Sequence, residues 1–262
     1  MDILQYDFMQ HAFMAGIVVA ILSAVLGYFV VLRNLSFASH ALGHISFSGA
    51  TAALLLGFSP MLGQLVLTLL SALLMGCLGD RVLKSDMTIG IVLAFSLGLG
   101  SLFLSLSHGY TGQATSILFG NLLGVSTPSL ILMCMLTIVC LLVLMVLARP
   151  LLFASLEPEL AQARGIPLTR LGVIFLCLLA VGVTLASQVV GVLLIFTLLI
   201  GPAAIATRWT KQFWSGLVAS VIVSVLIVVM SLVLTYFTAW PISFWVSALV
   251  LLAYIIPRRC LS

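Results

Sequence analysis

The sequence predicts an all-α fold: one polytopic transmembrane helical bundle of about eight to nine spans, with its N-terminus outside and its C-terminus cytoplasmic. Three observations predict it. Of 262 residues, 63% are hydrophobic and only 6% charged, against roughly 25% charged in a soluble domain. Apolar runs long enough to cross a hydrocarbon core of about 30 Å recur along the whole chain. The ten Lys and Arg residues sort to one side when the breaks between runs are numbered alternately. A soluble fold could not hide this much apolar surface, so lipid is the solvent. No stretch outside the runs is long enough to bury a core of its own, so residues 1–262 read as a single transmembrane domain.

The runs lie near residues 12–32, 36–57, 61–80, 87–107, 128–148, 169–187, 189–207, 213–237 and 241–257. The acidic opening MDILQYDFMQH lacks a basic n-region, so the first run reads as a retained span rather than a cleaved signal. Breaks fall at Arg33-Asn34, Ser59-Pro60, Arg81 to Asp86, His108 to Gly112, Arg149 to Pro167, Ser187-Gln188, Arg208 to Lys211 and Trp240-Pro241. From an outside N-terminus, the inside breaks hold Arg33; Arg81 and Lys84; Arg149, Arg164 and Arg170; Arg208 and Lys211; Arg258 and Arg259. Those are all the cations, so the positive-inside rule fixes the orientation. The run at 189–207 is the weakest, because Gly201-Pro202 interrupts it and it reads as either spanning or re-entrant.

Two breaks are long. The outer one, 108–127, contains SILFGNLLG, which reads as a short helix in the interface or dipping into the protein. The inner one, about 150–167, carries Glu157, Glu159 and Arg164 and reads as a short amphipathic helix at the cytoplasmic face. Its bland reading is a solvated surface helix; helix-in-groove docking on a partner is the functional one.

The composition excludes several functions. A net charge of +4 spread over helix ends gives no nucleic-acid patch. Cys77, Cys134, Cys140, Cys177 and Cys260 form no C-x-x-C and read as small core hydrophobes. No G-x-x-x-x-G-K-[ST] is present, so the chain has no phosphate loop with which to hydrolyse ATP.

Chemistry concentrates in the second run, SFASHALGHISF. His40 and His44 stand four residues apart and share one helical face. From a helix start at Ser36 they lie about 6 and 12 Å along the axis, between the inner leaflet and mid-membrane. Ionisable groups at that depth are costly and face a bundle interior or a water path. Imidazole suits zinc, copper, iron and nickel. Two ligands leave a site incomplete, and a second copy of the chain would supply four. The bland alternative is a pair of neutral histidines hydrogen-bonded between helices. Neighbouring Ala38, Ser39, Ala41, Gly43, Ser46, Ser48, Gly49 and Ala50 would allow close helix approach. An H-E-x-x-H protease is excluded, because His40-Ala-Leu-Gly-His44 has no general base. His11 and His108, single and in outer segments, read as ordinary surface residues.

Three stretches together resemble the zinc and manganese permease family, the membrane subunits of ATP-binding-cassette metal importers. Residues 33–44, RNLSFASHALGH, are similar to the family's M-S-x-x-G-D-A-x-x-H-A, with His44 on the family histidine and His40 where aspartate is usual. Residues 155–165, SLEPELAQARG, are similar to its coupling segment S-x-D/E-x-x-x-A-x-x-x-G. Residues 190–204 resemble V-G-x-L-L…L-L-I-x-P-A-A. The usual D-x-P-S-G before the last span is replaced by Thr238-Ala-Trp240-Pro241-Ile-Ser243, without acid or glycine. The resemblance implies a homodimer, two copies of a cytoplasmic ATP-binding-cassette ATPase, an extracytoplasmic metal-binding protein and residence in a bacterial inner membrane. It implies no permanent cofactor, metal contact at His40 and His44, and ATPase coupling through Glu157, Glu159, Ala161 and Gly165. His in place of Asp leaves fewer hard oxygen ligands, which favours zinc over manganese. Because protonated imidazole cannot bind metal, transport is expected to weaken as pH falls through about 6.5. Two other readings stay open: a siderophore- or cobalamin-type permease, and a passive metal channel without an ATPase. The first would need an aromatic-lined cavity, and Trp209 and Trp214 stand away from mid-span.

Overall fold

The computed structural model describes residues 7–78, 86–106, 117–120, 124–192, 194–238 and 240–255. These form ten α-helices: α1 (Asp7–Leu32), α2 (Ser36–Leu55), α3 (Pro60–Leu78), α4 (Asp86–Leu106), α5 (Thr127–Leu156), α6 (Pro158–Ala163), α7 (Leu168–Val190), α8 (Ile195–Trp209), α9 (Phe213–Thr238) and α10 (Ile242–Ile255). Each predicted apolar run has become a helix. Six helices are long and apolar enough to cross a membrane: α1, α3, α4, α5, α7 and α9. The 20 residues of α2 are long enough, but serine, glycine and histidine hold its hydropathy down. With 15 and 14 residues, α8 and α10 extend only about 21–22 Å.

Three predicted boundaries are corrected. The first lies at Ser187-Gln188, where α7 runs on through Val190 and the chain breaks at Gly191 (φ 84°). Polarity at 187–188 looks like a loop, yet both side chains are spent on hydrogen bonds to Gln64 inside the bundle. The second is the interruption at Gly201-Pro202, which does not occur, because Pro202 sits within α8. The third is the inner break, which begins later than expected, since α5 continues through Arg149 and Pro150 to Leu156. Proline inside a membrane helix is tolerated because neighbouring groups re-satisfy the freed carbonyl. Of the outer segment, residues 117–119 are helical and Gly120 follows them; Ser116 and residues 121–123 of SILFGNLLG, and His108, lie outside the described residues.

The core is built around α1 and α7, whose apolar windows are 67% and 72% buried. Ser220 and Ser224 on α9 donate to the carbonyls of Ala24 and Ala20 on α1, at 3.3 and 3.0 Å. Phe213 at the start of α9 meets Tyr28 and Phe29 near the end of α1. Arg208 near the end of α8 donates to the carbonyl of Tyr254 in the last turn of α10 at 2.9 Å. These contacts gather the described cations Arg33, Arg149, Arg164, Arg170, Arg208 and Lys211 at one end of the bundle. Trp240, Phe244 and Trp245 cluster at the other, with Trp245 Nε1 donating to Thr238 Oγ1 at 3.0 Å. Of the cysteines, Cys77, Cys134, Cys140 and Cys177 are free, and Cys260 lies outside the described residues.

Candidate functional site

The first helix ends at Asn34, whose φ of 55° places it at the left-handed position that closes a Schellman motif. Leu35 N–H donates back to Val30 O at 3.0 Å and Asn34 N–H to Val31 O at 3.2 Å. The reversal lets α2 start at once, with Ser36 O accepting from Ser39 Oγ at 2.7 Å.

From that start, α2 is wedged among α3, α4, α7 and α8. Its small residues are buried: Ala38, Ser39, Ala41, Gly43, Ser46, Ser48, Gly49 and Ala50. At one crossing the backbones of Gly49 and Gly63 touch, and a Cβ on either would collide with the other's carbonyl. At another, Ser48 Oγ hydrogen-bonds the Ser96 carbonyl and lies 3.0 Å from Ser96 Oγ on α4. His40 and His44 are only partly buried. Their ring centroids are 4.7 Å apart and the planes are nearly perpendicular, at 87°. The predicted pair is therefore brought together. Among the described residues, no cluster of three or more His, Cys, Asp or Glu side chains could hold a metal. One copy of the chain thus offers two imidazoles at this face.

The acidic loop is a separate assembly. Leu156 ends α5, Glu157 caps both helices, and α6 packs on α5 and α7. Ala161 is fully buried beneath it. Ile166 N–H donates to Ala161 O at 3.1 Å and Gly165 N–H to Gln162 O at 2.9 Å. Gly165, at φ 78°, closes this second Schellman motif, where a side chain would be strained. Glu157 and Glu159 remain exposed, and Arg164 lies over the Phe153 ring at 5.2 Å. Ala161 and Gly165 thus set the shape of the loop, and the two carboxylates form its surface.

Two features escaped the sequence reading. One is Phe196 on α8, whose ring meets His40 with centroids 5.0 Å apart. The other is a polar seam between α3 and α7. Gln64 Oε1 accepts from Ser187 Oγ at 3.0 Å and from Gln188 Nε2 at 2.6 Å, and Thr68 and Thr184 hydroxyls meet at 3.1 Å. The seam opens into a cavity of about 190 Å³ at the bundle end away from the cations, lined also by Met61, Ser129 and Met133. The available signal was Gln64 and Thr68, four apart on one face of a span.

The ABC 3 transport family profile matches residues 5–258. The chain is 31% identical over 233 residues to the manganese import system permease protein ScaB of Streptococcus parasanguinis, covering 88% of this chain and 83% of that one. It is equally 31% identical over 233 residues to the high-affinity zinc uptake system membrane protein ZnuB of Haemophilus influenzae, covering 88% and 89%. Its fold superposes on PsaBC from Streptococcus pneumoniae in complex with Fab with a TM-score of 0.86 and 27% identity, over 99% of this chain and 96% of that one. The resemblance read at residues 33–44, 155–165 and 190–204 is therefore borne out. A membrane transport subunit without a catalytic domain, the chain belongs to the ABC 3 transport family.

Proposed function

We propose that the chain is the membrane permease subunit of an ATP-driven importer for a divalent transition metal, with zinc preferred to manganese. Relatives named for each metal match it equally well, so similarity alone does not choose between them. The ligand chemistry does: imidazole at both positions 40 and 44 favours zinc, whereas manganese prefers oxygen donors. The observation that carries the reading is the His40–His44 pair, 4.7 Å between rings, on α2, which among the described residues is the one long helix too polar to be a simple span.

Two copies of the chain would bring four imidazoles to a central path. An extracytoplasmic binding protein delivers the ion, and a cytoplasmic ATPase engages α6 through Glu157, Glu159 and the turn shaped by Ala161 and Gly165. Nine helices cross a bacterial inner membrane, N-terminus outside and C-terminus inside, which places the cation-bearing end in the cytoplasm as the positive-inside rule requires. Nucleotide binding and release rock the two copies and open the path alternately. Uptake weakens as the medium is acidified, because protons compete with metal for the imidazoles.

The test is ATP-driven uptake by vesicles carrying the chain with its ATPase, with zinc and manganese compared. A His40→Ala/His44→Ala double variant that still assembles should lose zinc uptake by at least roughly a hundredfold, the upper end of what losing only a ligand's hydrogen-bonding partner costs. Undiminished uptake would assign the pair a purely structural role and remove the path from this face.

A further inference from the structure

Beside the histidine pair stands a residue with no metal-binding chemistry of its own. Phe196 is the second residue of α8, and its ring lies against His40 at 5.0 Å and 76°. The same imidazole also meets His44 at 4.7 Å and 87°. The imidazole of His40 thus packs against two rings, each near perpendicular to it.

The place of Phe196 is set from behind. Ile195, next to it, is 2% exposed and would lie 3.8 Å from a Cβ built on Gly43, one turn along from His40. Ahead of α8, Val192 N–H donates to Ile117 O at 3.2 Å. There the backbones of Gly120 (φ 80°) and Gly191 (φ 84°) press together so closely that a Cβ on either would strike the other's strand of chain. The start of α8 is therefore clasped, and with it the ring that faces His40.

An imidazole binds metal through a lone pair in its ring plane. Its affinity in a two-histidine site depends on rotation about Cβ–Cγ, a torsion that is intrinsically broad. A ring packed edge-to-face narrows it, and such contacts favour one arrangement.

We infer that Phe196 is a positioning residue for metal transport: its ring fixes the rotation of His40 so that both imidazoles can serve one ion. This rests on the reading that the histidine pair lines the metal path. An aspartate at position 40, as the family pattern has, would give Phe196 no ring to hold, so the role belongs to chains with histidine there.

The test uses the full complex with its ATPase in vesicles. F196A should raise the KM for zinc roughly three- to tenfold and leave the maximal rate within about twofold. Cobalt(II) loaded in place of zinc should show altered visible ligand-field absorption. F196Y, which keeps the ring, should restore both. F196L, which keeps bulk without a ring, should behave as F196A and stands in for it if the alanine variant fails to assemble. In a His40→Ala or His40→Asp background F196A should add nothing. A wild-type KM and cobalt spectrum in F196A, beside a defective His40→Ala, would overturn this inference and leave the metal path standing. The same KM factor in the His40→Asp background would also overturn it, since Phe196 would then act through α8 packing. Normal uptake by the double histidine variant would instead overturn the path itself.

Discussion

Helices α2 and α5 invert the usual relation between polarity and burial. The apolar window of α5 has a mean hydropathy of 3.2 and is only 28% buried. Ile131, Met135, Ile138, Leu142 and Met145 all face outward from it. The second helix falls short of a spanning hydropathy, yet most of its residues are buried. The physical reason is the solvent. In lipid an apolar face gains nothing by going inside, whereas serine, glycine and histidine find partners and close packing only there. Hydropathy therefore does not set burial here: α1 and α7, at 2.6 and 2.5, are largely buried while α3 and α4, at 1.8 and 2.2, are not, and α2 goes inward because its polar groups find partners only there.

That contrast can be broken most directly at Gly49. Gly49→Leu forces a branched side chain into the Gly63 carbonyl, and overpacking of this kind costs about 3 kcal/mol or more when backbone must move. The expected result is loss of assembled protein on size-exclusion in detergent, and loss of uptake with it. A variant with normal assembly would show that α2 and α3 can separate freely.

A smaller effect is expected in the seam. Gln64→Leu leaves the Gln188 amide without its acceptor, at about 1–3 kcal/mol, while the Ser187 hydroxyl keeps the Thr184 carbonyl at 2.7 Å. Thermal unfolding in detergent should fall by several degrees, while the Thr68–Thr184 contact deeper in the seam persists. An unchanged transition would mean that water in the adjoining cavity satisfies the Gln188 amide instead.

On α5 the expectation is close to nothing. Met145 is 77% exposed, and Met145→Ala should shift stability by no more than about 0.5 kcal/mol. A large loss of assembly or uptake there would show that α5 faces protein rather than lipid, and would assign it to an interface between copies.

Much of this was legible in sequence, for reasons the same contrast explains. Nine apolar runs gave nine helices, six of them of spanning length and hydropathy, because both properties are read directly against bilayer thickness. The pairing of His40 with His44 followed from helical periodicity alone. The errors fell where polarity was mistaken for exposure. Ser187-Gln188 looked like a loop and proved to be interior, and Pro150 and Pro202 looked like stops and proved to be tolerated. Phe196 was invisible because a phenylalanine in an apolar run carries no signal until a fold sets it against a particular imidazole.

The bonds from Ser220 and Ser224 to the carbonyls of Ala24 and Ala20 join residues 196 and 204 positions apart. At about 5–20 residues per second, the ribosome delivers α9 roughly ten to forty seconds after α1. For that interval α1, one of the two most buried helices, keeps the face that α9 will cover turned to lipid. Its mean hydropathy of 2.6 is what lets it wait, since an apolar helix can rest in the bilayer with every backbone group already bonded. Birth order thus constrains this sequence: the first helix must be greasy enough to survive alone and small enough, at Ala20 and Ala24, to accept a late partner.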